Sequence, residues 1–131
     1  MKMTAKVLAL SILSVFAFVL FFNSAEAQAQ TTPPVGKYPC YYYGYNYALT
    51  SSSLTEIEIQ PKSRMKIVGE SVAFRNENSV LTITEGEFKG AIAHYKLDSD
   101  KKPAIVFKRK ENEERGHKID VSDTWCYLEK K

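Results

Sequence analysis

The sequence predicts an all-β domain: a small antiparallel barrel of about eight strands in up-and-down order, closed by one disulfide between its ends. Three observations predict it. Short apolar runs with period-two alternation recur through the chain, separated by turn signals at spacings of about 8–12 residues. Few segments past the N-terminus carry helical spacing. Cys40 and Cys126 bracket nearly all of the alternating region. In a closed meander the first and last strands are neighbours, which is where these cysteines would lie. A two-sheet sandwich is the alternative, because it too can set the chain ends side by side.

The N-terminus reads as an export signal. Lys2 and Lys6 precede an apolar run, Val7 to Phe22, broken only by Ser11 and Ser14. Asn23-Ser24-Ala25-Glu26-Ala27 follows as a small-x-small cleavage site, with cleavage after Ala27 expected and after Ala29 as the second choice. The apolar run is shorter than the ~20 residues of a spanning helix. The expected domains are a signal peptide over 1–27, a flexible leader over 28–36 with Pro33-Pro34, and one β domain over 37–131. Removing 1–27 leaves 104 residues, 16 basic and 14 acidic, a net charge of +2. That size holds one domain. The mixed, nearly balanced charge excludes nucleic acid as the main partner. The protein is expected to be secreted or periplasmic, with no membrane partner after cleavage.

An oxidising compartment lets a disulfide persist, and two cysteines allow one intramolecular pairing. Reduced thiols and bridges between chains are the alternatives.

The strands follow in order. Tyr38 to Tyr47 is the first, with Gly44 expected to interrupt it. Ile57 and Ile59 alternate with Glu56, Glu58 and Gln60, and Pro61-Lys62-Ser63 ends that run. Met65 and Ile67 alternate about Lys66, then Gly69-Glu70 turns. Val72 and Phe74 lead to the turn cluster Asn76-Glu77-Asn78. Val80 to Thr84 is β-branched and apolar. After Glu85-Gly86, Phe88 to Leu97 reads as a strand with Ala91, Ala93, Tyr95 and Leu97 on one face. Asp98 to Pro103 is a polar connection, and Ala104 to Phe107 a short apolar strand. Lys108 to Gly116 reads as a charged hairpin end, because a helix there would lack an apolar face. Ile119 and Val121 alternate with Lys118 and Asp120 as strand, and Thr124 to Leu128 closes the domain.

Two features resemble known families. Gly36-Lys37-Tyr38 resembles the Gly-x-Trp start of lipocalins, with Tyr in place of Trp. An early Cys and a late Cys in about 100 exported residues are similar to the small periplasmic lysozyme-inhibitor barrels. The Ser-Gly-rich inhibitory loop of that group has no counterpart here. The resemblance therefore implies architecture alone, and no functional residue is carried over from it.

Six of the eight tyrosines lie within 38–47. On an unbroken strand Tyr41, Tyr43, Tyr45 and Tyr47 share one face, and Tyr38, Cys40 and Tyr42 the other. One strand of a small domain cannot bury both faces, so some rings face solvent. An exposed tyrosine offers a flat apolar face and a hydroxyl that donates and accepts. Tyr41, Tyr43, Tyr45 and Tyr47 are therefore the candidate ligand-binding residues. Packing against the disulfide, followed by a mobile loop through Ala48 to Ser53, is the competing structural role.

Catalytic and metal chemistry is not visible. His94 and His117 are far apart and no spare thiols accompany them, so no metal is expected. No nucleophile elbow or phosphate loop is present. Glu56 with Glu58, and Glu85 with Glu87, fit a solvated strand face and a turn better than an acid/base pair. Lys108, Arg109, Lys110 and Arg115 are interleaved with Glu111, Glu113 and Glu114, which reads as a solvated tip. No cofactor is expected. The expected function is an exported, non-catalytic binding module for a small apolar or carbohydrate ligand at the barrel mouth or Tyr-rich region. The alternative is an exported protein partner or an enzyme-inhibitor role, through a loop at Ala48 to Ser53 or Lys108 to Gly116.

Overall fold

The computed structural model describes residues 31–129. The expected signal peptide and its cleavage sites lie outside the described residues. Eight strands run β1 (Gly36–Tyr43), β2 (Leu49–Gln60), β3 (Arg64–Ile67), β4 (Glu70–Glu77), β5 (Val80–Ile83), β6 (Ile92–Leu97), β7 (Pro103–Phe107) and β8 (Thr124–Tyr127), with one described helix, α1 (Arg109–Glu114), between β7 and β8. Each strand pairs antiparallel with the next, and β8 pairs back onto β1. The sheet is thus a closed up-and-down barrel, as the alternation predicts, and closure removes every free edge.

Period two decides what fills it. Tyr38, Cys40, Ile57, Ile59, Met65, Ile67, Val72, Phe74, Leu81, Ile83, Ala91, Ala93, Ile105, Phe107 and Cys126 are buried in one apolar cluster. An eight-stranded barrel has an interior just wide enough for side chains to fill, and here they come from every strand. Cys40 and Cys126 stand opposite each other across the β1–β8 seam and are joined by a disulfide.

The barrel's two ends differ. At one end the connections are tight: Pro61 to Ser63, Asn78-Ser79 and Asp98 to Lys102. Asn78 and Ser79 both take left-handed backbone, the geometry that matches the twist of paired strands. At the other end Val68-Gly69 turns in the same left-handed way. That end also carries the longer pieces: the Gly44 to Ala48 hairpin, Thr84 to Ala91, and Lys108 to Asp123.

Three readings are corrected at this end. Lys108 to Gly116 is not a hairpin tip. It contains α1, which needs no apolar face because a polar residue, Asn112, is its buried anchor. Ile119 and Val121 are irregular loop and not strand. Asp120 fastens that loop instead, accepting from the Ser52 hydroxyl (2.5 Å), the Ser53 amide (3.2 Å) and the Thr124 hydroxyl (2.7 Å). Phe88 to Leu97 is strand only from Ile92, because Gly86 and Gly90 at positive φ fold Glu87 to Lys89 into a turn. Phe88 then packs against the core from that turn.

Glu85 also has a structural task. It accepts from the Ala73 amide at 2.9 Å and pairs with Arg64 at 3.2 Å. Pro33 is buried and the Pro34 carbonyl accepts the Tyr38 hydroxyl at 2.6 Å, so the end of the leader packs onto the barrel.

Candidate functional site

An open cleft of about 800 Å³ lies outside the barrel wall, between α1 and the Val121 to Asp123 loop. Its floor is the outer face of the sheet. Register sets that face: His94 pairs with Val106, Val106 with Trp125, and Trp125 with Tyr41. Because Thr124 and Cys126 point into the barrel, Trp125 between them points out. Its ring lies nearly parallel to Tyr127, centroids 6.2 Å apart, and the Lys96 ammonium sits 4.4 Å from its centre. That cation packs over the indole face.

The cleft's α1 wall is held by two contacts to β6. The Asn112 side chain accepts from the Ile92 amide at 2.8 Å and donates to the Ile92 carbonyl at 2.9 Å. The amide thereby imitates a strand neighbour, which is why a buried polar residue carries no penalty here. His94 Nε2 and Glu111 Oε2 are 2.7 Å apart, each half-buried. The loop wall is tied to α1 through Arg109. Its amide donates to Asp123 at 2.8 Å, its Nη1 to the Val121 carbonyl at 3.2 Å, and its Nε to Glu113 at 3.0 Å. The hydrogen bond and charge of Glu113 push the Arg109 guanidinium pKa up, so it stays cationic. The Ser122 hydroxyl donates to the Tyr43 carbonyl at 2.8 Å, joining the loop to the end of β1.

Tyr43 stands where the cleft meets a second groove of about 270 Å³, lined also by Gly44, Tyr45, Tyr47, Val121 and Ser122. The four candidate tyrosines divide. Tyr41 and Tyr43 lie on the outer face of β1, and Tyr41 lines neither groove. Tyr45 and Tyr47 are not on the strand. β1 ends at Tyr43, and the turn closes through Tyr47 N–H to the Gly44 carbonyl (2.9 Å) and Gly44 N–H to the Ala48 carbonyl (3.0 Å), with Tyr47 at positive φ. Tyr43, Tyr45 and Tyr47 are 55%, 90% and 87% exposed. Tyr38 is core. Ala48 to Ser53, expected as a loop, is β-strand from Leu49 onward, paired as Tyr43 with Leu49 and Tyr41 with Ser51.

His94 and His117 do not converge. His94 faces Glu111, while His117 Nε2 meets the Lys89 carbonyl at 2.8 Å. Among the described residues no group of three or more His, Cys, Asp or Glu is placed to hold a metal ion. Trp125, His94 and α1 were not read from the sequence as site residues. Alternation about Cys126 carried the signal for Trp125, since an inward Cys makes its neighbour outward. No local signal places α1 over β6.

No protein-family model, curated protein or solved structure matches this chain.

Proposed function

We propose that the protein is an exported, non-catalytic binding module whose ligand lies in the outer cleft and its Tyr-lined extension. One observation carries this reading. The two grooves share Tyr43, Val121 and Ser122, so exposed aromatic rings and hydrogen-bonding groups border two adjoining depressions. Binding sites combine apolar surface with a few placed polar groups, and these depressions have both. Side chains from every strand fill the barrel interior, which favours the outer wall over a lumen for the ligand. The buried disulfide supports an oxidising compartment. No described helix is long and apolar enough to cross a membrane.

Native mass spectrometry of protein recovered from an exporting host, without reductant, tests the reading. The expected species begins at Gln28, carries two hydrogens fewer than the reduced chain, and holds an adduct that Tyr43→Ala loses. An adduct kept by Tyr43→Ala places the ligand elsewhere.

A second reading, a protein partner gripped by the β1–β2 hairpin, is favoured by the exposure of Tyr45, Tyr47 and Leu49 at its tip.

A further inference from the structure

The cleft's chemistry narrows the ligand class. We infer that the outer cleft binds a neutral, linear oligosaccharide, with two or more sugar rings lying along the track from Trp125 over Tyr43 to Tyr45 and Tyr47. The inference rests on the proposed location of the site.

Charge is the first argument. Lys108, Arg109 and Lys110 border the cleft together with Glu111, Glu114 and Asp123, so the signs cancel within one depression. An apolar ligand would strip water from these groups and return no hydrogen bonds. A polyanion would meet three carboxylates, and a polycation three basic side chains. A sugar hydroxyl both donates and accepts, so it suits donors and acceptors set side by side.

Aromatic geometry is the second. Tyr43 and Trp125 line the larger groove, and Tyr43, Tyr45 and Tyr47 the smaller. The apolar face of a pyranose ring packs flat on such rings, while its equatorial hydroxyls reach the rim. Tyr43 belongs to both grooves, so a ligand that fills both must pass over it. Both grooves are open to solvent.

The chain carries one tryptophan, Trp125, and it lines the cleft. Its emission therefore reports this site directly. The test titrates the mature protein with neutral tetramers (gluco-, manno-, xylo-, galacto- and chito-oligosaccharides), their disaccharides and monosaccharides, an acidic galacturonate tetramer, and decanoate.

At least one neutral tetramer is expected to shift Trp125 emission and to bind about tenfold or more tighter than its monosaccharide. Tyr43→Ala should weaken that binding by about tenfold. The double variant Tyr45→Ala, Tyr47→Ala should weaken the tetramer, with the thermal midpoint unmoved because both rings are exposed. A Tyr43-dependent response to decanoate or the acidic tetramer alone overturns the inference and leaves the cleft as the binding site. The absence of any Tyr43-dependent response across the panel overturns the inference. If the hairpin is then protected from hydrogen exchange by a protein of the exported fraction, the proposed site falls with it.

Discussion

Cys40 and Cys126 face each other across the seam between the first and last strands, Cα atoms 4.0 Å apart and both side chains buried. This pairing closes the cylinder covalently at the one place where neighbouring strands are distant in sequence. The other strand pairs are joined by short turns or by the Lys108 to Asp123 excursion. The β1–β8 pair must form across 86 residues, the largest loop-closure entropy in the barrel.

Cys40→Ser should therefore destabilise strongly. A loop of this length corresponds to about 4–5 kcal/mol in the chain-entropy account. The buried hydroxyl and the unpaired Cys126 would add to the loss. Thermal unfolding of wild type and variant under matched conditions measures it. An unchanged midpoint would show that strand pairing alone closes the seam.

Asn112→Leu keeps the branched heavy-atom outline of the side chain and removes both hydrogen bonds to Ile92. The Ile92 amide and carbonyl would lose their partners at a cost of about 1–3 kcal/mol. The expected outcome is release of α1 with the barrel intact. Amide exchange should rise for Ile92 and for 108–117, Trp125 emission should move toward that of exposed indole, and the cross-strand pairs of β3 to β5 should remain protected. Uniform loss of protection would instead make α1 part of the barrel's cooperative unit.

Asp120→Ala removes three acceptor contacts, to Ser52, Ser53 and Thr124. Thr124 and Ser52 are both buried, so their hydroxyls would be left without that partner. A loss of about 1–3 kcal/mol is expected in urea unfolding, together with faster exchange at Ser53. Asp120→Asn, which keeps acceptor capacity, should lose less. Equal losses would mean that the negative charge outweighs the geometry.

Alkaline pH should destabilise the fold through buried tyrosine. Burial, with a smaller contribution from Tyr95, pushes the Tyr38 hydroxyl well above the usual tyrosine range. Burial also raises Tyr95, and burial followed by the Asp98 charge raises Tyr127. Above the unfolded value of about 10, the unfolded chain gives up protons that the folded chain keeps. Stability is thus fully present below that pH and falls as pH climbs toward the raised folded values. Tyr38→Phe should flatten the fall measured by urea unfolding between about pH 8 and about pH 11. At neutral pH it should cost about 1 kcal/mol for the lost bond to the Pro34 carbonyl. A slope identical to wild type would remove Tyr38 as its source.

The amino-acid order by itself determined the barrel. Alternation such as Ile57-Glu58-Ile59 assigns one face to the interior and one to water, and Asn78 or Gly69 marks where the chain must reverse. Such signals are local, because side-chain direction in a strand depends only on position along it. The same locality let Cys40 and Cys126 be placed on the first and last strands. What the local pattern could not decide was the end of the barrel that carries the cleft. Lys108 to Gly116 looks like a solvated tip, since the anchor of α1 is one asparagine and its partner, Ile92, is 20 residues away. Ile119 and Val121 alternate as a strand would, yet Asp120 binds across to Ser52 and Ser53, 67 or 68 residues distant, and that contact prevails. The tyrosine run did not carry its own geometry: Gly44 turns the chain, so Tyr43 stays on the wall while Tyr45 and Tyr47 move to the tip. Tertiary structure alone brought Trp125, His94 and α1 to Tyr43, because side-chain hydrogen bonds between distant segments leave no periodic trace in the chain.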